Sequence, residues 1–124
     1  MAYCTTEELL HLTGTKVSEE ALIEMIAQAD REIDARLYMA GLSPPGANDM
    51  LKTASLKLAT AAVFTRHRMD GTMPPNLSIG DIGVGDNPDR AIQQLKEDAY
   101  AIVAAYIRYA KKDGRGYYVA ITNG

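Results

Sequence analysis

The sequence predicts an all-α protein, a small helical bundle of three long helices and one short N-terminal helix. Three observations carry this. Apolar residues recur at three- and four-residue spacing over long stretches, as one face of a helix requires. Each stretch is bounded by helix signals: capping residues and acids where it opens, glycine where it closes. Aromatic residues make up only 6 % of the chain, with no tryptophan and one phenylalanine, so the core is built from aliphatic and small side chains. At 124 residues the chain is expected to be a single domain, 1–124.

The elements follow in order. Thr5 or Thr6 caps a short helix with Glu7 and Glu8 in its first turn, Leu9, Leu10 and Leu12 as apolar residues, and Gly14 as its end. After Thr15-Lys16-Val17, Ser18 caps a second helix in which Leu22, Ile26, Ala29, Ile33 and Leu37 share a face. Gly41 ends it. Pro44-Pro45-Gly46 excludes a helix, and Asn48 or Asp49 opens the third, which runs to about Met69. Its apolar residues (Leu51, Ala54, Leu56, Leu58, Ala59, Ala61, Ala62, Val63, Phe64) surround most of the cylinder, so this helix is expected at the centre. Asn87 with Pro88 starts the fourth, whose stripe Ile92, Leu95, Ala99, Ile102, Val103, Tyr106, Tyr109 faces the bundle until Gly114.

Two segments do not read as helix. The loop 70–87 carries four glycines and Pro74-Pro75 and is too long for a plain connector. Within it, Leu77-Ser78-Ile79 and Ile82-Gly83-Val84 flank Gly80-Asp81, a pattern for a hairpin with a two-residue turn that needs a partner to be stable. The tail 114–124 contains the alternating, β-prone run Tyr117-Tyr118-Val119-Ala120-Ile121. It is expected to form a short strand against the hairpin or another chain.

Composition excludes more than it identifies. The net charge of −3 hides a gradient: residues 1–50 hold nine acids against three bases, and residues 51–80 four bases against one acid. The helix-turn-helix pattern of residues 6–34 is therefore a poor DNA reader, because Glu19, Glu20, Glu24, Asp30, Glu32 and Asp34 would face the phosphates with only Arg31 and Arg36 beside them. Gly80, Gly83 and Gly85 have the wrong order for a dinucleotide loop. His11 and His67 lie in no metal motif, and the Arg66-His67-Arg68 setting reads as a solvated helix end. Cys4, the only cysteine, allows no intrachain disulfide and suits a reducing compartment. No catalytic residues, metal ligands or cofactor are expected. Arg108, Lys111, Lys112 and Arg115 suit the negative end of the fourth helix, with a phosphate site as the alternative because Tyr109, Tyr117 and Tyr118 are interleaved. No signal peptide or membrane span is expected.

The opening Tyr3-Cys4-Thr5-Thr6-Glu7-Glu8-Leu9, the Thr13-Gly14 break, Ser18 leading into Ile26-Ala27-Gln28-Ala29-Asp30-Arg31-Glu32-Ile33-Asp34, the alanine-rich helix through residues 56–68 and Ser78-Ile79-Gly80-Asp81 form one ordered pattern. It spans nearly the whole chain and resembles the small head–tail connector (adaptor, or head-completion) proteins of tailed bacteriophages and prophages. The resemblance implies a structural virion protein at the head–tail interface, assembled in the host cytoplasm as a ring of twelve under the portal protein. It also implies a docking surface for a tail-side connector or stopper protein. DNA would pass through the ring without sequence-specific binding. By the same analogy the end of the fourth helix and the tail (Arg108, Lys111, Lys112, Arg115, Tyr117, Tyr118, Val119, Ile121) would contact the portal. The loop residues Leu77, Ile79, Asp81, Ile82 and Val84 would pair with a neighbouring subunit or the tail side. Glu20, Glu24 and Asp34 would be channel-facing acids. The main alternative is a small acidic helical regulator that acts through a protein partner.

Overall fold

A computed structural model describes residues 2–71, 78–79, 82–83 and 88–113. The chain is all-α: α1 (Thr6–Thr13), α2 (Glu19–Met39), α3 (Asp49–Asp70) and α4 (Pro88–Asp113), with a hairpin β1 (Ser78–Ile79) and β2 (Ile82–Gly83) between α3 and α4. The helix ends follow the expected chemistry. Thr5 caps α1 in a reciprocal box: its hydroxyl accepts from Glu8 N–H at 3.1 Å, and the Glu8 carboxylate accepts from Thr5 N–H at 3.0 Å. Ser18 and Asn48 cap α2 and α3 through Ala21 N–H and Leu51 N–H. Gly14 and Gly71 close α1 and α3 at φ +63° and +70°, a region other residues avoid. The end of α2 is a Schellman motif: Leu42 N–H bonds to the Leu37 carbonyl at 2.8 Å and Gly41 N–H to Tyr38 at 3.0 Å. Leu37 and Leu42 are both fully buried beside it.

α3 is the central helix. It packs most extensively on α4, then on α2, and also on α1. Leu51, Ala54, Leu58, Ala59, Ala61, Val63 and Phe64 are all buried, because neighbours lie on several sides of it. The pairs Asp30–Ser55 and Thr15–His67 set α2 antiparallel to α3. Arg68–Asp89 at 2.5 Å and Lys57–Asp98 at 3.9 Å do the same for α4. α2 and α4 therefore run parallel to each other, both packed on α3.

The expected stripe of α2 is buried throughout. That of α4 is rotated. Ala91, Leu95, Ala99, Val103, Tyr106 and Ala110 are buried, Ile92 and Ile102 are only partly covered, and Tyr109 is 44 % exposed rather than facing the bundle. The contact row follows i, i+4 spacing, so small alanines at both ends bring α4 close to α3, where the sequence stripe favoured the larger residues. Of the expected apolar residues of α1 only Leu9 is buried, with Thr13 buried at the helix end; Leu10 and Leu12 are exposed because one face of a short helix touches the bundle. The hairpin forms in the expected register, Ile79 opposite Ile82 and Ser78 opposite Gly83, which leaves two residues for the turn. Its partner is α4, against which β2 lies. The expected strand in the tail 114–124 falls outside the described residues.

Candidate interaction surfaces

The hairpin, the end of α4 and the acid row of α2 are the surfaces on which the expected site residues fall. Ile79 and Ile82 are the paired residues of the hairpin nearest its turn; Leu77, Asp81 and Val84 lie outside the described residues. Arg108, Lys111 and Lys112 are exposed on the last turns of α4, and Arg115, Tyr117, Tyr118, Val119 and Ile121 lie outside the described residues. The lysines sit where the helix dipole favours cations. From Pro88, just after the hairpin, to Lys111 is roughly 35 Å along α4 at 1.5 Å per residue. The hairpin and the basic end thus adjoin opposite ends of α4.

The acid row of α2 is only partly as expected. Glu20 and Glu24 are exposed and form no ion pair among the described residues. Asp34 departs from them: it is half-buried and accepts the Tyr3 hydroxyl at 2.5 Å. Arg31, exposed and seven residues after Glu24, shares their row and dilutes its charge. Asp30 is not a surface acid at all. At 8 % exposure it accepts from the Ser55 hydroxyl at 2.7 Å and from Tyr3 N–H at 3.2 Å.

These contacts form a polar latch that holds the N-terminal arm, residues 2–5, against α2 and α3. The only hydroxyl proton of Ser55 goes to Asp30, so the Cys4 thiol, 3.2 Å from the Ser55 oxygen, is the donor in that contact. Burial raises the pKa of Asp30, partly offset by the bonds from Ser55 and Tyr3. Burial also pushes up the Cys4 thiol, and burial with the Asp34 carboxylate pushes up the Tyr3 phenol. Cys4 is therefore held as a thiol, the form least suited to nucleophilic attack. The sequence pattern places Asp30 among the acids of α2 and carries no sign of its bond to Ser55, 25 positions away. Its one legible signal was position: Asp30 directly follows Ala29 of the apolar stripe.

His67 also departs from the expected solvated end. It is half-buried, and its Nε2 lies 2.6 Å from the Thr15 hydroxyl in the α1–α2 turn. A cavity of about 570 Å³ beside it is lined by Lys16, Arg66, Asp70 and that turn; Asp70 is engaged by Arg66 at 3.0 Å. Among the described residues no three His, Cys, Asp or Glu side chains gather as a metal ion would need, and no helix is long and apolar enough to cross a membrane. No protein-family model matches the chain, and neither a curated protein nor a solved structure gives a match.

Proposed function

We propose that the protein is a structural component of a tailed phage or prophage virion, a head–tail connector that works as a ring adaptor without catalysis. The observation that carries this reading is the ordered sequence pattern, from the Tyr3-Cys4-Thr5-Thr6 opening to the Ser78-Ile79-Gly80-Asp81 loop, which resembles that family over nearly the whole chain. Two structural features support it. The pattern lies on a four-helix bundle, and its loop carries a hairpin seated beside the last helix. A subunit of this kind binds by surfaces rather than by a converging polar site. The exposed basic end of α4 would serve the portal, and the hairpin, whose strands are two residues long, would extend its pairing with a neighbouring chain.

The test is light scattering of the protein mixed with the portal protein encoded nearest to it, against each component alone. A mass gain of many copies per portal ring supports the reading. No gain with an intact portal overturns it.

A further inference from the structure

α2 and α4 run parallel but touch each other far less than either touches α3, which leaves a groove between them. The groove is crossed part-way along its length. There the Arg36 guanidinium lies 3.9 Å from the centre of the Tyr100 ring, and the Tyr100 hydroxyl donates to Glu32 at 3.3 Å. These contacts set the levels of the two helices: residues 32–36 of α2 stand beside Tyr100 of α4. On one side of the crossing the groove encloses about 540 Å³ between Ala35, Met39 and Ala40 of α2 and Val103, Ala104 and Ile107 of α4, all apolar. On the other side it encloses about 390 Å³ between Gln28 and Glu32 of α2 and Lys96 of α4. Met39 is 87 % exposed, and Ala35 and Ala104 are also open to water. An apolar trough with a long apolar side chain in water at its edge gains from being covered.

We propose that a second copy of the chain closes this groove, stacked face to face about a two-fold axis parallel to the helices. Under that symmetry α2 of each copy lies over α4 of the other, in the same direction and at the same level. The facing rows match. Gln28, Glu32, Ala35 and Met39 recur at the four-three-four spacing of a coiled-coil seam, and Lys96, Tyr100, Ala104 and Ile107 hold the corresponding places on α4. From Gln28 to Met39, as from Lys96 to Ile107, is eleven residues, or about 16 Å. Level by level, Met39 meets Ile107 of the second copy, Ala35 meets Ala104, and Glu32 with Gln28 meets Lys96. The alanines let the helices approach closely at the centre. The charges argue for a second copy as the occupant: α2 brings the carboxylate and α4 the amine, and the axis sets one against the other twice. Lys96 enters no ion pair among the described residues, so its pairing across the axis is new. The two copies of α2 and α4 then form a four-helix bundle with the groove as its core. The proposal concerns the free chain and does not rest on the connector reading.

Sedimentation velocity of the full-length protein over a concentration series up to about 1 mM tests it. A monomer–dimer equilibrium is expected. Met39→Glu, at a position that the single chain leaves in water, is expected to raise the dissociation constant roughly tenfold or more. Lys96→Glu is expected to raise it too, and the added change Glu32→Lys to lower it again by restoring the opposite charges. All three positions are exposed, and an unchanged helical circular dichroism signal verifies that each variant keeps the bundle. A monomer at every concentration overturns the proposal. So does a dimer that Met39→Glu leaves as tight as before, since the copies then meet elsewhere, or a charge-swapped variant that associates no better than Lys96→Glu alone.

Discussion

Asp30 accepts hydrogen bonds from two elements at once, and its burial makes its ionisation part of the molecule's stability. Its folded pKa lies above the ordinary value of about 3.9, so the folded state holds the proton more readily than the unfolded chain. Stability from this group therefore grows as pH falls from the raised value toward the ordinary one, and diminishes as pH rises through the raised value. Asp30→Asn removes the titration. Urea unfolding of both proteins between pH 7 and pH 4 is expected to show the natural protein gaining on the variant as pH drops; a constant difference would refute it. Thr60 raises the opposite issue. Its hydroxyl is fully buried in α3 and has no hydrogen-bond partner among the described residues. Thr60→Val removes an unsatisfied polar group and is expected to stabilise by about 1 kcal/mol, read as a higher urea midpoint at unchanged slope. A lower midpoint would mean that the hydroxyl is satisfied.

At the scale of elements, each described helix carries acids in its first turn and bases in its last, and those end signals made the four helices readable. Thr5, Ser18 and Asn48 act as caps as their residue types suggest. Gly14 shows how such an end is held. A Cβ added there meets nothing within 4 Å, so a substitution at this position is resisted by the backbone alone. Gly14→Ala is expected to cost about 1 kcal/mol, and Gly14→Asn less, because asparagine tolerates the left-handed region. Equal losses in thermal unfolding would point to a steric cause instead. The rotated stripe of α4 was not legible. Ile92 and Ala91 both satisfy helical spacing, and only the surface of α3 decides which of them it covers.

At the scale of the whole molecule, α3 is enclosed by the other three helices. Its alanine content and its apolar residues on nearly every side made that placement readable before the structure. The charge gradient has a different fate. Of the three acids expected to line a channel, Glu20 and Glu24 remain exposed and Asp34 is engaged by Tyr3. If the connector reading holds, a ring with its α2 row toward the channel would repel passing DNA. Glu20→Lys with Glu24→Lys is then expected to slow genome ejection without preventing particle assembly. Normal ejection from such particles would remove Glu20 and Glu24 from the channel.

The sequence alone determined the number, order and ends of the helices, the hairpin register and the central place of α3. Those features depend on local backbone chemistry and on apolar periodicity, which neighbouring residues carry in themselves. Only the tertiary structure decided that Asp30 is buried, that His67 meets Thr15 and that α2 and α4 leave a groove between them. Asp30 and Ser55 are 25 positions apart, and Thr15 and His67 are 52 apart. Whether a polar side chain meets a partner or water depends on which helix faces arrive together. That is set by the packing of α2 and α4 around α3, and no local pattern encodes it.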